Sequence, residues 1–127
     1  MSFNNIMSMF GGGGAAYENI SAGSAVQFHS DESSVFIDVR SHGEMQMSGT
    51  IAGALRVPLQ ELANHAKPEG GGTLPATSEN KRIFIVCASG ARSSVACRQL
   101  AGMGYENVAN MSGGLGAWKR AGGAMER

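Results

Sequence analysis

The sequence predicts an α/β fold in which a central, mostly parallel sheet is covered by helices on both faces. Short apolar runs alternate with segments of helical periodicity along the chain, as in repeated strand–helix–strand units. The run from Ile83 to Val86 is apolar at every position, which is typical of a strand buried on both faces. Such sheets bind ligands at the carboxyl ends of their strands. We therefore expect functional residues to follow the strands directly.

The chain length and the glycine clusters predict one folded domain behind a flexible leader. With 127 residues, the chain is long enough for one compact domain and too short for two. We expect residues 1–16 to form a leader with a hinge at Gly11 to Gly14, and residues 17–127 to form the domain. The alternative for the leader is a short helix that docks on a partner or on a second copy of the chain. Its apolar residues at helical spacing are Phe3, Ile6, Met7 and Phe10.

The first elements of the domain are predicted from caps and apolar runs. Ser21 follows a strand and is the expected N-cap of a helix from Ala22 to His29. The run from Val35 to Val39 predicts the next strand. Ser41 begins a short helix, with Glu44 at the capping-box position. The later elements are predicted as a loop at 49–54, a short strand at 55–58, a helix at 59–66, a surface loop at 67–80, a strand at 106–111 and a final helix that passes through Trp118 and ends at Gly122.

Charge and cysteine usage exclude several classes of function. The formal net charge is +0, so there is no electrostatic case for a nucleic-acid or anionic-membrane partner. The 2 cysteines and 3 histidines lack metal-ligand spacing, and we expect neither a metal nor a cofactor. No apolar run has transmembrane length, and the N-terminus does not read as a signal peptide. Together with the low cysteine content, these features predict a cytoplasmic location.

Cys87 lies between the strand at Ile83 to Val86 and a loop of small residues, Ala88 to Ala91. A helical pattern begins at Arg92 or Ser93. A curl of backbone amides at a helix N-terminus stabilises a thiolate and an anionic ligand. We therefore interpret Cys87 as a reactive cysteine. The alternative is an inert buried cysteine, which would need neither the amide-lined loop nor the arginine.

The other candidate residues are predicted to have structural roles. Asp38 and Arg40 leave the second strand at the same edge as Cys87, and we interpret them as a structural ion pair with neighbouring loops. Cys97 lies on the helix after the loop and is expected to pack inward. Its alternative role is that of a resolving thiol for Cys87. The histidines are predicted to be surface residues. They are His29, His42 and His65.

The chain resembles a single-domain rhodanese, a member of a sulfurtransferase family, in an ordered set of motifs that extends over about residues 18 to 123. The resemblance implies the rhodanese-like three-layer fold, with a parallel sheet between two layers of helices. The matching motifs are Ile37-Asp38-Val39-Arg40; Glu44 with Gly49 to Ala54; Val57-Pro58-Leu59; Ile85-Val86-Cys87 with Ser89-Gly90 and Arg92-Ser93; Leu100 with Gly104-Tyr105; and Val108 with Gly113-Gly114, Ala117-Trp118 and Gly122.

The resemblance implies that Cys87 is a catalytic cysteine that alternates between a thiol and a persulfide. Cys87 would take the outer sulfur of a donor such as thiosulfate, and a thiol or cyanide would accept that sulfur in a second step. A protein sulfur donor or acceptor is an additional partner in this interpretation. Ala88 stands where thiosulfate-using members often have a basic residue, which leaves Arg92 as the positive charge of the loop. The implied substrate-binding residues are Ala88, Ser89, Gly90, Ala91, Arg92 and Ser93.

Two other functions remain as alternatives. The first is a persulfide carrier or binding module that works with a protein partner. The second is a cysteine phosphatase or arsenate reductase, whose loop also follows a strand and holds an oxyanion. Those families place the arginine six positions after the cysteine, commonly with a histidine before it. Here Arg92 is five positions after Cys87 and Val86 precedes the cysteine, so the shorter loop favours a sulfur atom as its ligand.

Overall fold

The computed structural model describes residues 17–127, and the predicted leader lies outside the described residues. Within the described part, five strands form a parallel sheet in the order β1–β6–β5–β2–β4. The α/β prediction with a mostly parallel central sheet is therefore confirmed. The strands of this sheet are β1 (Glu18–Ser21), β2 (Ser34–Asp38), β4 (Leu55–Arg56), β5 (Arg82–Val86) and β6 (Val108–Ser112).

A second, two-stranded sheet joins the middle of the chain to its carboxyl end. β3 (Thr50–Ile51) pairs antiparallel with β7 (Met125–Glu126). The sequence prediction of a loop at 49–54 was wrong at these two residues, and no strand was predicted beyond Gly122. Two-residue strands have no periodic pattern, and their pairing depends on the tertiary fold.

The helices follow the caps read from the sequence. Ser41 and Glu44 form the predicted capping box: the Ser41 Oγ accepts from the Glu44 amide at 3.2 Å, and the Ser41 amide donates to Glu44 Oε1 at 3.1 Å. In the described part of the chain, no helix is long and apolar enough to cross a membrane. The α-helices are α1 (Ala22–Ala25), α2 (His42–Ser48), α3 (Leu62–His65), α4 (Ala91–Gly102) and α5 (Gly114–Arg120), and 3₁₀ turns occupy Val26–Phe28, Leu59–Glu61 and Thr77–Glu79.

Two apolar layers enclose the sheet because side chains alternate along β5. Ile83 and Ile85 pack on one face with residues of α4, including Leu100. Phe84 packs on the other face with Trp118 of α5. Every one of these side chains is almost fully buried. The helices therefore cover both faces of the sheet and complete the predicted three layers.

His29 differs from the prediction of a surface histidine. Its Nε2 lies 2.7 Å from the carbonyl oxygen of Ala52, and its ring packs edge-on against Phe36 and Trp118. The ring is half-buried at the rim of the second apolar layer. His42 is exposed as predicted, and His65 is half-buried.

The strand register brings the candidate residues to one edge of the sheet. Asp38 of β2 is paired with Val86 of β5, so the chain leaves both strands at the same level. The Val39 amide donates to the carbonyl oxygen of Val86 at 3.0 Å and keeps the two exits together. Cys87 and the Asp38–Arg40 segment thus emerge side by side at the carboxyl edge.

Candidate active site

The Cys87 sulfur lies in a ring of hydrogen-bond donors at the end of β5. The Gly90 amide donates to Sγ at 3.0 Å, and the Ser93 amide donates at 3.4 Å. The Ser93 Oγ also lies 3.4 Å from Sγ. The cysteine is 1% exposed, so these protein groups replace water around the sulfur. The arrangement suits an atom that carries negative charge.

The loop takes this shape because Gly90 adopts a backbone conformation that other residues avoid. Its φ of 115° lies in the left-handed region, and helix α4 begins at the next residue, Ala91. The turn points the Ser93 amide, in the first turn of α4, at the sulfur. An amide in the first turn of a helix has no acceptor within the helix. The Cys87 sulfur therefore accepts a hydrogen bond from an N–H group that the helix itself does not use.

The hydrogen bonds lower the pKa of the Cys87 thiol below its ordinary value. Burial is the largest single influence and acts in the opposite direction, because it disfavours the charged thiolate. The Ser93 hydroxyl and the backbone amides of Ser93, Gly90 and Ser89 together outweigh burial. The thiolate, which is the nucleophilic form of cysteine, is therefore more populated than for an ordinary cysteine at the same pH.

The first turn of α5 packs directly against the backbone of the cysteine loop. The Leu115 amide donates to the carbonyl oxygen of Cys87 at 3.0 Å. This contact requires Gly114, whose φ is 64°. A Cβ at Gly114 would overlap the carbonyl oxygen of Ala88 and lie 2.7 Å from that of Cys87. The backbone of this turn thus approaches the cysteine loop more closely than any residue with a side chain allows.

Arg92, in the first turn of α4, pairs with Glu44 of α2. Its Nη1 and Nη2 lie 2.6 Å and 2.9 Å from the two carboxylate oxygens. These hydrogen bonds from Arg92, followed by one from the Ser41 amide, lower the pKa of Glu44 to about 2. The arginine charge is therefore neutralised by a carboxylate, in contrast to the free positive charge expected from the sequence. Both side chains remain partly exposed at the rim of the loop.

Asp38 and Arg40 form a buried ion pair beside the loop. Arg40 Nε lies 3.2 Å and 3.1 Å from the two Asp38 oxygens, and Nη2 lies 2.9 Å from Oδ2. Thr50 Oγ1 donates to Asp38 Oδ2 at 2.6 Å, while Arg40 Nη2 donates to the carbonyl oxygen of Gly49 at 2.5 Å. Asp38 is 0% exposed and Arg40 4% exposed. The pair ties the end of β2 to the turn before β3, which is a structural function.

A cysteine with a lowered pKa in an amide-lined loop, at the carboxyl edge of a parallel sheet, limits the families to be considered. The family model for rhodanese-like domains matches residues 21–121. The chain belongs to this family. The match extends from the first helix of the domain to the end of α5 and includes every residue of the cysteine loop.

Two relatives of this rhodanese-like domain carry names from sulfur chemistry. A protein of Allochromatium vinosum named sulfurtransferase is 35% identical over 91 residues, which are 72% of this chain and 77% of that protein. A Bacillus subtilis protein named putative sulfur carrier protein YrkF is 34% identical over 89 residues, which are 70% of this chain. The chain spans only 43% of the length of this second relative.

Solved structures share the fold. A Rhodopseudomonas palustris protein, described as of unknown function and a possible tyrosine phosphatase, superimposes with a TM-score of 0.76 and 30% identity. The superposition covers 87% of this chain and 85% of that structure. The Alr3790 protein of Anabaena superimposes with a TM-score of 0.72 and 27% identity, over 84% of this chain and 81% of that one.

Three features of the rhodanese-like site could not be read from the sequence as functional. The sequence predicts Glu44 as a helix cap, places Glu44 and Gly114 in the motifs shared with the family, and predicts no role for Asn110. Asn110 lies on β6, with its Oδ1 2.5 Å from the Ser93 Oγ. An asparagine inside a buried apolar strand was the one available signal, since a buried amide needs a specific partner.

The second cysteine, Cys97, lies on α4, the helix that follows the cysteine loop. Cys97 is fully buried on α4, and burial raises the pKa of its thiol. A buried neutral thiol is a poor nucleophile, which fits the inward packing expected for this residue. Among residues 17–127, no three His, Cys, Asp or Glu side chains are placed to hold one metal ion.

Proposed function

We propose that this protein is a sulfurtransferase that carries a sulfane sulfur as a persulfide on Cys87. The observation that supports this most directly is the set of hydrogen bonds to the Cys87 sulfur from Gly90 and Ser93. Amides held in place by the loop can donate hydrogen bonds to a thiolate before sulfur transfer and to a persulfide anion after it. The names of the Allochromatium vinosum and Bacillus subtilis relatives, sulfurtransferase and putative sulfur carrier, support the same chemistry.

The proposed reaction has two displacement steps. The Cys87 thiolate attacks the outer sulfur of a donor such as thiosulfate; the new sulfur–sulfur bond forms as the old one breaks, and sulfite leaves with the bonding electron pair. The enzyme then carries Cys87–S–S⁻. An acceptor thiolate attacks the terminal sulfur, leaves as a persulfide and returns Cys87 as a thiolate; cyanide would leave as thiocyanate. The two half-reactions predict ping-pong kinetics.

The charge around the loop bears on the choice of donor. Ala88, Ser89 and Ala91 are exposed at the mouth and carry no charge, and Arg92 is paired with Glu44. A thiosulfate dianion would find little compensating charge at this mouth. A low-molecular-weight persulfide or a protein persulfide needs less compensation at the reacting sulfur. We therefore propose a persulfide as a better donor than thiosulfate, with a protein partner as one form that this donor could take.

A phosphatase is the alternative suggested by the description of the Rhodopseudomonas palustris structure. Phosphate esters need a cation that is free to bind the transferred oxygens. Arg92, the loop's cation, donates two hydrogen bonds to Glu44, which argues against this alternative. Hydrolysis of a phosphate ester is assayed with the same preparation, so that phosphatase activity can be compared directly with sulfur transfer.

The test is the intact mass of the protein after incubation with thiosulfate or with glutathione persulfide. We expect a gain of about 32 Da, one sulfur atom. A reductant should reverse the gain, Cys87→Ser should abolish it, and the matched variant Cys97→Ala should retain it. No gain from either donor would contradict the proposal.

Turnover separates an enzyme from a carrier. Continuous thiocyanate formation from cyanide indicates a sulfurtransferase, whereas a single stoichiometric loading without turnover indicates a carrier that hands sulfur to a protein partner. The free thiols of Cys87 and Cys97 fit the reducing cytoplasm predicted from the sequence, and that location stays a prediction.

A further inference from the structure

The Ser93 hydroxyl lies among three hydrogen-bond acceptors but has a single hydrogen to donate. Its Oγ is 2.5 Å from Asn110 Oδ1, 3.1 Å from the carbonyl oxygen of Gly90 and 3.4 Å from the Cys87 sulfur. Ser93 is 0% exposed and Asn110 is 6% exposed, so water does not supply further donors. The distances favour Asn110 as the acceptor when the sulfur is uncharged.

A second asparagine orients the Asn110 side chain. Asn19 of β1 lies directly beside Asn110 in the strand register. The Asn110 Nδ2 donates to Asn19 Oδ1 at 3.1 Å. With the NH₂ group directed at Asn19, the carbonyl oxygen of the Asn110 amide faces Ser93. Asn19 and Asn110 thus form a short polar chain that ends at the hydroxyl beside the reactive sulfur.

We propose that Asn110 is a positioning residue that competes with the Cys87 sulfur for the Ser93 hydroxyl proton. With a neutral thiol, Ser93 donates to Asn110 and its oxygen is free to accept from the S–H group. With a thiolate or persulfide anion, the hydroxyl rotates and donates to the sulfur, and the Asn110 bond is lost. Asn110 therefore stabilises the uncharged sulfur relative to the charged one.

This competition matters for catalysis, an argument that rests on the proposed sulfur transfer. A thiolate that is stabilised more strongly is present at a lower pH, but it is also a weaker nucleophile. Because Asn110 competes for the Ser93 proton, the thiolate is stabilised less than it would be by an uncontested hydrogen bond from Ser93. The thiolate is therefore a stronger nucleophile than it would be without Asn110. The short contact of Asn110 towards the site is with that hydroxyl, at 2.5 Å, whereas its Nδ2 lies 3.5 Å from the carbonyl oxygen of Gly90 in the loop. The residue therefore acts mainly through Ser93.

The charged groups around Cys87 do not change when Asn110 is replaced by an uncharged residue. On the α2 and α4 side, Arg92 is paired with Glu44. At the end of β2, the buried Asp38 is paired with Arg40. The Cys97 thiol on α4 also interacts electrostatically with Cys87. An altered Cys87 pKa in an uncharged Asn110 variant thus reports on the hydrogen bond.

The test is the pKa of the Cys87 thiol in Asn110→Leu, a substitution of similar size that removes the acceptor. It is measured from the ultraviolet absorbance of the thiolate and from the pH dependence of Cys87 alkylation by iodoacetamide. We expect a decrease of about half to one pKa unit, the size expected for one modest hydrogen bond. Ser93→Ala should raise the pKa, and in that background Asn110→Leu should have no further effect. An unchanged or raised pKa in Asn110→Leu, or an equal decrease without Ser93, would overturn the proposal.

Asn19→Ala provides a second variant at an exposed position. Without its partner, the Asn110 amide can turn its NH₂ group towards Ser93, and the Cys87 pKa should fall by a smaller amount in the same direction. An unchanged pKa in this folded variant would also count against the proposal.

None of these measurements needs a sulfur donor. Expected pKa shifts without persulfide formation would refute only the proposed function, whereas persulfide formation without the shifts would refute only the role of Asn110.

Discussion

Glu44, in the capping box of α2, forms an ion pair with Arg92, in the first turn of α4 directly after the cysteine loop. The Glu44 carboxylate accepts two hydrogen bonds from the Arg92 guanidinium, at 2.6 Å and 2.9 Å, and two from Ser41, at 3.1 Å from its amide and 3.0 Å from its hydroxyl. One side chain therefore completes the N-cap of α2 and neutralises the cation of the cysteine loop. The contact joins residues 48 positions apart.

The Glu44–Arg92 pair should make the stability of the protein depend on pH in the acidic range. The pKa of Glu44 is lowered from 4.5 to about 2, with the hydrogen bond from Arg92 as the main cause. The stabilisation is complete above the unfolded-state value of 4.5 and is lost as the pH falls towards 2, because only the unfolded chain takes up a proton over most of that interval. Since both side chains are partly exposed, we expect an effect below about 1 kcal/mol.

Urea unfolding of Glu44→Gln at a series of pH values measures this dependence. Glutamine retains the capping-box function, so the variant removes the charge and keeps the cap. The stability difference from the wild type should be largest above pH 4.5 and should shrink towards pH 2, in line with the pKa of Glu44. Arg92→Gln should remove most of the same pH dependence and leave the smaller part that comes from Ser41. If Arg92→Gln retained the full dependence, another partner of Glu44 would be responsible.

A positive charge at position 88 should improve the use of thiosulfate. Ala88 is exposed at the mouth of a loop whose arginine is already neutralised. Ala88→Arg would add an unopposed cation within reach of the donor dianion, and we expect kcat/KM for thiosulfate to rise about fivefold, mostly through KM. The gain should decline at high salt. Ala88→Gln, which adds length without charge, is the control; an equal gain in this variant would show that charge is not the cause.

The sequence predicted the elements whose signals are local. The apolar run of β5, the Ser41–Glu44 capping box and the glycine-containing loop after Cys87 each occupy a few consecutive residues, and each is present in the structure. The loop around Cys87 could be located because strand, loop and helix follow one another directly in the chain, and the reactivity of this cysteine stays a prediction. The resemblance to the rhodanese family rested on the same order of short motifs, and the family is confirmed.

The features that the sequence did not predict depend on distant residues. The pairing of β3 with β7 joins Ile51 to Met125, and neither two-residue strand has a pattern of its own. The approach of Gly114 to the carbonyl oxygen of Ala88 exists only once β5 and β6 are adjacent in the sheet. Neutralisation of Arg92 likewise needs the tertiary fold to bring Glu44, 48 positions away in the chain, to the start of α4. Such contacts follow from the tertiary fold, which propensity and periodicity do not specify.

A methyl group at Gly114 should displace the cysteine loop. The added Cβ would overlap the Ala88 carbonyl, and the positive φ of 64° adds strain of about 1 kcal/mol. We expect Gly114→Ala to lose more stability than this strain alone and to form the Cys87 persulfide more slowly. Gly122→Ala is the matched control, because its φ is 85° and its Cβ would meet no atom within 4 Å. Comparable effects of the two substitutions on persulfide formation would contradict a supporting role for Gly114.

Loss of one partner from the buried pair of Asp38 and Arg40 should cost more stability than loss of one partner from the partly exposed pair of Glu44 and Arg92. Asp38 is 0% exposed and accepts hydrogen bonds from Arg40 and Thr50. Asp38→Asn would leave the guanidinium of Arg40 charged, buried and without its counter-ion, and a broken buried pair costs about 3–5 kcal/mol. Urea unfolding near neutral pH should therefore show a much larger loss for Asp38→Asn than for Glu44→Gln.

The double variant Asp38→Asn, Arg40→Met isolates the cause of that loss. Removal of the second charge eliminates the uncompensated guanidinium, so the double variant should recover part of the stability lost in Asp38→Asn. Recovery would show that the unpaired charge dominates the cost. If the double variant were less stable than Asp38→Asn, the hydrogen bonds of Arg40 to Ser48 and Gly49 would be the larger contribution, and the pair would act mainly by holding the turn before β3.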